Sequence, residues 1–291
     1  MITLRSFSFL CLAIAAIGTA HAQLITSLRL SKNQYVSGEP VIAQVSITNH
    51  SGQELLFRGD TRLQWIDFTV KNSNGNPVSI RNQMTYGTMK IGIGETMVRD
   101  FDLGKAYLIS ESGNYTVSAV IRNADYHIDG VSTNKGFFTV NPGRIYWAQK
   151  VGLLGKPGQT REYRLLNFSA AQNSQLYVQV KDDRTGQAIT TYSLGEALLV
   201  RNPLVAVDRQ QHMHVMYLGT PTMWVHCEID TDGKMVKRQI HQRGDQGDPQ
   251  LLTTKEGAVI VGNSVPYDPA AVAAAKAKTR KISDRPPFLY Q

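Results

Sequence analysis

The sequence predicts an all-β protein with two successive domains behind a secretion signal. Three observations support this prediction. Short apolar segments that alternate with polar residues recur along the chain, as in half-buried strands. Turn residues such as Asn74-Gly75 separate these segments at short intervals. The length of 291 residues is sufficient for about two domains.

Residues 1–22 have the features of a signal peptide. Arg5 supplies the positive charge, residues 7–17 are apolar, and Ala20-His21-Ala22 matches the small-x-small cleavage pattern. We expect cleavage before Gln23 and a location in the periplasm or outside the cell. No later apolar stretch is long enough to predict a transmembrane helix.

Charge and cysteine content limit the classes of function. Loss of Arg5 lowers the net charge from +8 to +7, which favours solubility and weak attraction to anionic surfaces. Because the basic residues are scattered, the charge does not predict a nucleic-acid partner. Cys11 leaves with the signal peptide, so Cys227 has no intramolecular partner and the core alone must stabilise the fold.

The first domain, residues 23–141, is predicted to consist of short strands. Residues 41–48 carry the clearest pattern, with Val41, Ala43, Val45 and Ile47 on one face. Residues 35–40 are predicted as a turn region because they contain Gly and Pro. The other predicted strands are 24–31, 54–58, 65–70, 78–80, 88–93, 97–101, 115–122 and 137–140.

The strand and turn residues of this domain resemble those of bacterial immunoglobulin-like envelope modules. The segments that carry the resemblance are 35–41, 45–49, 68–72 with Gly75, and 113–117. The resemblance implies an immunoglobulin-like β-sandwich. Similar patterns occur in proteinase-inhibitor-like domains, so a proteinase-inhibitor-like module is an alternative. Tyr115 is either a tyrosine-corner residue, whose hydroxyl fixes a loop, or an ordinary core aromatic.

The second domain, residues 142–267, contains an internal repeat. Residues 177–189 match residues 224–236 at an offset of 47, with Gly186 against Gly233 and Asp183 against Asp230. A second match at an offset of 46 places residues 202–204 against 248–250. The predicted strands are 144–151, 163–168, 176–181, 188–194, three strands within 203–238, 251–253 and 258–262.

This period resembles that of β-propeller blades, which repeat at roughly 40–50 residues. The domain holds two such repeat units, fewer than a closed propeller contains. It is therefore an open propeller-like stack, a stack completed by a partner, or a small sandwich with duplicated hairpins.

The hairpin around residues 212–227 is the candidate chemical site. His212 and His214 share a strand face by alternation. If Leu218 pairs with Met223, His214 faces Cys227; a register shorter by one residue places His226 there instead. His212, His214 and Cys227 then offer three ligands for zinc, or a nucleophile for a hydrolytic enzyme.

The preferred function is non-catalytic binding or assembly at the bacterial cell envelope, without a cofactor. Tyr177, Tyr217 and Trp224 are candidate binding residues for an envelope protein or glycan, with core packing as the alternative. Residues 268–291 form a basic tail rich in Ala and Pro. Its start, Asp268-Pro269, predicts a helix N-terminus, and the tail is a candidate docking segment.

Cleavage of the signal peptide gives the first testable prediction. When the full chain is produced in a bacterium, the mature protein is expected to begin at Gln23, because the small residue Ala22 precedes the cut. N-terminal sequencing and intact mass of the periplasmic fraction measure this. Full-length protein retained in the cytoplasm would contradict it.

Overall fold

Short strands dominate the computed structural model, which describes residues 23–59, 64–123, 130–170, 173–270 and 273–274. The prediction of an all-β protein is confirmed, since the named elements of these residues are strands and one four-residue helix. The predicted signal peptide 1–22 and most of the predicted tail 268–291 lie outside the described residues. At the start of the tail, Asp268 Oδ1 accepts a hydrogen bond from the Ala270 N–H at 2.8 Å, as expected for a helix cap.

The chain divides into two compact units, the first ending at Asn141 and the second beginning at Pro142. No helix among the described residues has both the length and the apolar composition needed to cross a membrane. The elements of unit 1 are β1 (Gln23–Leu30), β2 (Gln34–Val36), β3 (Ile42–His50), β4 (Leu55–Phe57), β5 (Ile66–Lys71), β6 (Met89–Ile91), β7 (Thr96–Asp102), α1 (Leu103–Ala106), β8 (Gly113–Ile121), β9 (Val131–Ser132) and β10 (Gly136–Asn141).

Two sheets of unit 1 share one hydrophobic core. The first has the order β1-β3-β7, and the second has the order β2-β10-β8-β5 with β9 paired to β8. Strand β3 buries alternate residues, as its sequence predicts, and Val45 and Ile47 enter the core from the first sheet. Phe68 and Val117 enter the same core from the second sheet. The alternation of each strand therefore places its apolar face against the other sheet.

Two predicted local structures of unit 1 are wrong. Residues 78–80 form no strand, because Pro77 and Ile80 make only isolated bridges and proline lacks the N–H that a ladder needs. Residues 35–40 are not all turn, because β2 pairs in parallel with β10. The turn begins only after Val36, and Gly38 takes a positive φ of 84° there.

Tyr115 fixes a loop in unit 1 through its hydroxyl. The side chain is 5% exposed, and its Oη donates to the backbone carbonyl of Glu111 at 2.7 Å. Its ring also stacks on Phe138 at 5.2 Å. The sequence leaves two roles open for Tyr115, a tyrosine corner and a core aromatic. The structure shows the hydroxyl contact that is typical of a tyrosine corner.

The described residues of unit 2 form three small antiparallel sheets. Their orders are β11-β12-β13-β14, then β15-β16-β17-β18-β21, and then β19-β20. The strands are β11 (Arg144–Gly152), β12 (Thr160–Ala170), β13 (Asn173–Asp182), β14 (Ala188–Glu196), β15 (Leu204–Val207), β16 (Met213–Thr220), β17 (Met223–Ile229), β18 (Met235–Arg243), β19 (Gln250–Thr253), β20 (Val259–Gly262) and β21 (Ser264–Pro266).

The sheet that contains β15–β18, called here the middle sheet, is covered on both faces. Val215 and Cys227 face a core that also contains Val178 and Val180 of β13. Met216, Leu218 and Trp224 form a second cluster on the other face, against Leu251 and Val261 of the β19-β20 sheet. Strands β11–β14 form one four-stranded meander, and strands β15–β18 form a second. The two pack face to face, which gives unit 2 a propeller-like arrangement of small sheets.

The two glycines that the internal repeat matches lie in equivalent turns. Gly186 and Gly233 both take positive φ, 68° and 82°, in the turns that follow β13 and β17. The aspartate that begins the first of these turns is Asp182 rather than the aligned Asp183. The first turn is one residue longer, since Asp182 N–H donates to Gln187, whereas Asp230 N–H donates to Lys234.

Gln211 joins the turns of two neighbouring sheets. It lies in the β15-β16 turn with φ 69°. Its side chain donates to the Gly152 carbonyl and accepts from the Leu154 N–H at 2.8 Å. The Gln211 carbonyl accepts from the Tyr163 hydroxyl at 2.8 Å. These bonds attach the β11-β12 connection to the middle sheet.

Loss of the Gln211 side chain is therefore expected to destabilise unit 2. Gln211→Ala keeps the backbone and removes two hydrogen bonds, so the free energy of unfolding should fall by about 1–2 kcal/mol. Gln210→Ala is the matched control, because Gln210 is exposed on the same turn and its loss should change stability by less than about 0.5 kcal/mol. Urea unfolding followed by fluorescence measures both; equal losses in the two variants would contradict the role of Gln211.

Candidate functional site

The register of the β16-β17 hairpin decides which side chains meet. Thr220 pairs with Met223, and Leu218 pairs with Trp224, with a shift between the two pairs. Both predicted registers are therefore wrong. Gly219 is the extra, unpaired residue of β16 at this shift. Glycine suits this position, because a Cβ there would lie 3.1 Å from Val225 Cγ2.

This register separates Cys227 from the histidines. Cys227 pairs with Val215 and belongs to the core on one face of the middle sheet. His214 pairs with Glu228 and belongs to the opposite face. Burial raises the pKa of the Cys227 thiol to about 11. The predicted set of His212, His214 and Cys227 is therefore not brought together.

Asp208, His212 and Glu228 converge instead. Asp208 follows β15, His212 precedes β16, and Glu228 lies near the end of β17. One potential ligand atom from each lies within 4.8 Å of the others. His212 Nδ1 lies 2.7 Å from Glu228 Oε1, and Asp208 Oδ1 accepts from the His212 N–H at 2.8 Å. All three side chains are half-buried, so solvent can still reach the group.

A chain of buried imidazoles continues from Asp208. His214 Nε2 lies 3.2 Å from Asp208 Oδ2, and His214 Nδ1 lies 3.1 Å from His226 Nε2. The two rings are nearly parallel, with centroids 5.3 Å apart, so the two nitrogens lie close to the line that joins the ring centres. This is the geometry of an in-plane N–H···N bond.

The carboxylate sets the direction of this chain. Because ionised Asp208 can only accept, His214 donates through Nε2, and a neutral His214 then accepts at Nδ1. His226 therefore donates through Nε2 to His214. No group among the described residues pairs with His226 Nδ1, which is left as a lone-pair acceptor.

His241 extends the imidazole row on β18. Its ring lies 6.0 Å from that of His226, and its Nδ1 lies 3.1 Å from Ser264 Oγ. Its Nε2, like Nδ1 of His226, has no partner within the described part of the chain. Burial lowers the pKa of His226 to about 4, because desolvation disfavours the charged ring, and the positive charge of Lys237 acts in the same direction. Burial also lowers the pKa of His241.

The three predicted binding aromatics are largely buried. Tyr177 and Tyr217 are each 2% exposed, and Tyr217 donates its hydroxyl to the Leu194 carbonyl. Trp224 is 7% exposed. Tyr217 and Trp224 contribute to the lining of a cavity, whereas Tyr177 contacts Phe168 with ring centroids 6.4 Å apart. Trp224 shares the outer face of the middle sheet with Met216 and Leu218, whereas the Tyr217 ring packs in the core on the opposite face.

The cavity has a volume of about 420 Å³ and lies on the face that carries the histidines, where its lining residues Met216 and Trp224 pair with His226 and His241. Its apolar lining includes Leu204, Met216, Leu218 and Trp224, and its polar lining includes Arg201, Asn202, Asp248 and Gln250. A few polar groups beside an apolar wall are typical of a binding pocket.

Asp248 organises the charges beside this cavity. It pairs with Arg243, and its Oδ2 also lies 3.4 Å from Arg201 Nη2. The hydrogen bond from Arg243 is the main cause that lowers the pKa of Asp248, and Arg201 adds to it. Arg243 also lies over the Trp224 ring, 6.0 Å from its centroid. One carboxylate thus pairs with both arginines, and one of these arginines lies over the tryptophan.

Sequence reasoning missed Asp208, Glu228 and His241 as members of the polar cluster. Glu228 could have been found, because alternation places it on the same face as His226. Asp208 ends a strand, and its approach to Glu228 depends on strand pairing that the sequence does not show.

No protein-family model and no curated protein matches the chain. Among solved structures, the chain is similar to the crystal structure of Spo0M, a sporulation control protein from Bacillus subtilis. The match has 13% identity, covers 59% of this chain and 90% of that chain, and has a TM-score of 0.26. A score this low carries no argument. The structure itself shows an all-β protein whose second unit has a propeller-like arrangement of small sheets.

The lowered pKa of His226 predicts acid-sensitive stability. Its folded pKa of about 4 lies below the ordinary value of 6.5, so protons favour the unfolded chain. The stability associated with neutral His226 is complete above pH 6.5 and is lost as pH falls towards 4.

His226→Gln should reduce this acid-induced loss of stability. The change introduces the residue found 47 positions earlier, Gln179, and that residue does not titrate in this range. Urea midpoints at pH 7 and pH 4.5 measure the effect. His50→Gln, at an exposed position of β3, should behave as wild type, and equal pH dependence in all three proteins would contradict the prediction.

Proposed function

We propose that the chain is an exported, non-catalytic binding or assembly protein of the bacterial cell envelope. The observation that carries the proposal is the cavity of about 420 Å³ beside Trp224. It combines an apolar wall with arginine and carboxylate groups, and it lies between the middle sheet and the chain that leads into β19. The partner is an envelope protein or glycan.

The start of the sequence supports export. Arg5, the apolar residues 7–17 and Ala20-His21-Ala22 together match a cleavable signal peptide. A single cysteine in the mature chain is compatible with an oxidising compartment, because it leaves no intramolecular pair to mismatch.

Unit 1 supports a role in binding or assembly through its proposed fold, an immunoglobulin-like β-sandwich. Two sheets share its core, and Tyr115 makes the hydroxyl contact of a tyrosine corner. Such sandwiches occur in many cell-surface proteins, although a fold by itself does not define a function.

The position of Cys227 supports a non-catalytic role for the thiol. A nucleophilic cysteine needs an exposed or activated thiolate. Cys227 is fully buried in the core, and burial raises its pKa. The thiol therefore stays protonated at neutral pH and behaves as a small apolar side chain.

The chemistry of the cavity indicates the kind of contact that a partner makes. Met216, Leu218 and Trp224 offer an apolar surface, and Arg201 and Asp248 offer charged hydrogen-bonding groups. A side chain or a sugar ring with an apolar body and a polar end satisfies both parts.

Blocking the cavity is expected to weaken partner binding. Leu204 lines the cavity and is 40% exposed, so Leu204→Trp fills the space without disturbing a buried position. Recovery of the partner from envelope extract should fall about tenfold, which corresponds to roughly 1.4 kcal/mol. Quantitative pull-down with the mature protein measures this.

Ile145→Trp is the matched control for this experiment. Ile145 is 51% exposed on β11 and does not line the cavity. The control should recover the partner as wild type does. Equal recovery by both variants would remove the cavity from the binding site, and failure of the wild-type protein to retain any envelope component would contradict the proposal itself.

A further inference from the structure

We propose that Asp208, His212 and Glu228 bind a divalent transition-metal ion of the zinc class, with His214 as a positioning residue for Asp208. This site is separate from the cavity beside Trp224, and the inference does not depend on the proposed binding function. Compared with the predicted set of His212, His214 and Cys227, two carboxylates replace His214 and Cys227 as ligands. The geometry, the chemistry of the donors and a comparison of two turns support it.

The three groups are already close enough to hold one ion. Their potential ligand atoms lie within 4.8 Å of one another, and one pair, His212 Nδ1 and Glu228 Oε1, lies at 2.7 Å. Ligands at roughly 2.0–2.2 Å from a tetrahedral zinc ion lie roughly 3.4 Å apart. Rotation of the Glu228 side chain supplies the small movement that is needed, while Asp208 keeps its contacts with the His212 N–H and with His214.

The donor set suits zinc and its neighbours. One imidazole nitrogen with carboxylate oxygens is a combination that zinc accepts. Binding replaces the His212–Glu228 hydrogen bond. His212 Nδ1 then presents its lone pair to the ion, and Nε2 of the same ring carries the proton. Because all three side chains are half-buried, a fourth position stays open to water.

The equivalent turn 46 residues later forms without a carboxylate or an imidazole. The fold therefore does not require the side chains of Asp208 and His212. Asp208 accepts a hydrogen bond from the His212 N–H at 2.8 Å. In the β19-β20 turn, Thr254 accepts in the same way from the Ala258 N–H at 3.2 Å. A hydroxyl and a methyl group therefore suffice to make this turn. The second carboxylate oxygen of Asp208 and the imidazole of His212 have no counterpart there.

A buried polar chain supports Asp208 from behind. His214 is 3% exposed, and its Nε2 lies 3.2 Å from Asp208 Oδ2. Metal-binding groups are commonly oriented by such outer hydrogen bonds. Here the contact fixes one oxygen of Asp208, while the other oxygen lies beside His212.

His226 extends the buried polar chain behind Asp208, and its Nε2 faces His214, so its Nδ1 points away from the metal site. It is 4% exposed, and its Nδ1 has no hydrogen-bond partner among the described residues. His226 lies two positions before Glu228, on the same face of β17.

The experiment uses the mature protein without an affinity tag, because a histidine tag would bind metal itself. The protein is stripped with a chelator, and zinc is added during calorimetry, with metal content measured by mass spectrometry after desalting. The expected result is one zinc ion per chain. Absence of stoichiometric zinc would overturn the proposal and leave the cluster as an ion-pair network alone.

Asp208→Thr combined with His212→Ala is the decisive variant. It installs the residues of the equivalent turn, Thr254 and Ala258, and should keep the turn hydrogen bond. Zinc affinity should fall at least about a hundredfold, since two of three ligands are lost. The matched control combines Asp245→Asn with His50→Ala, which removes the same two functional groups at exposed positions. Retained zinc in the first variant, or equal loss in both, would place the ion elsewhere.

Two further variants keep the test valid if the double variant fails to fold. Glu228→Gln preserves the shape of the side chain, removes its charge and should lower zinc affinity at least about tenfold. His214→Gln should lower affinity about 10–100-fold through loss of positioning. Leu204→Trp should bind zinc as wild type does, so failure of the metal site and failure of the cavity function are distinguishable.

Discussion

Burial of the middle sheet on both faces is the constraint on which unit 2 depends. Every residue from Met213 to Leu218 is buried, because one face packs on the β11–β14 sheet and the other packs beneath the β19-β20 sheet. A strand with two buried faces does not need to alternate apolar and polar residues. This explains why the segment reads His-Met-His-Val-Met-Tyr-Leu. It also explains why buried polar side chains on β16 and β17 must find partners within the protein.

The outer face of the middle sheet is apolar at one end and polar at the other. At one end Met216, Leu218 and Trp224 form an apolar cluster, and the cavity opens beside it. At the other end His212 bonds to Glu228 and His214 bonds to Asp208, and His226, the strand partner of Met216, bonds to His214. A buried imidazole nitrogen that lacks a hydrogen-bond partner is costly. Within the described residues, the network ends at His226 Nδ1 and His241 Nε2, which have no partner. One face thus holds both candidate sites, and His226 and His241 lie beside the apolar cluster as strand partners of Met216 and Trp224.

Local patterns predicted most strands, and long-range pairing decided most of the site. The alternation of residues 41–48 gave β3, and the Gly186 and Gly233 matches gave equivalent turns. The predicted hairpin register is wrong because β16 continues two residues further, to Thr220, and Gly219 adds one unpaired residue that alternation does not reveal. A slip of one residue transfers a side chain to the other face of a sheet, and this is why Cys227 was grouped with the histidines although it lies in the opposite core. Proline and a short parallel pairing account for the errors at residues 78–80 and at β2.

The sequence by itself determined the all-β class, the positions of most turns and the repeat near 46 residues. These features depend on local preferences, because alternation and positive-φ glycines act over a few residues. The tertiary structure alone decided which sheet is buried twice, which carboxylates meet His212 and His214, and where the cavity lies. Those outcomes depend on contacts between strands and between sheets. Asp208 and Glu228 are 20 residues apart in the chain, and only the pairing of β15, β16 and β17 brings them together.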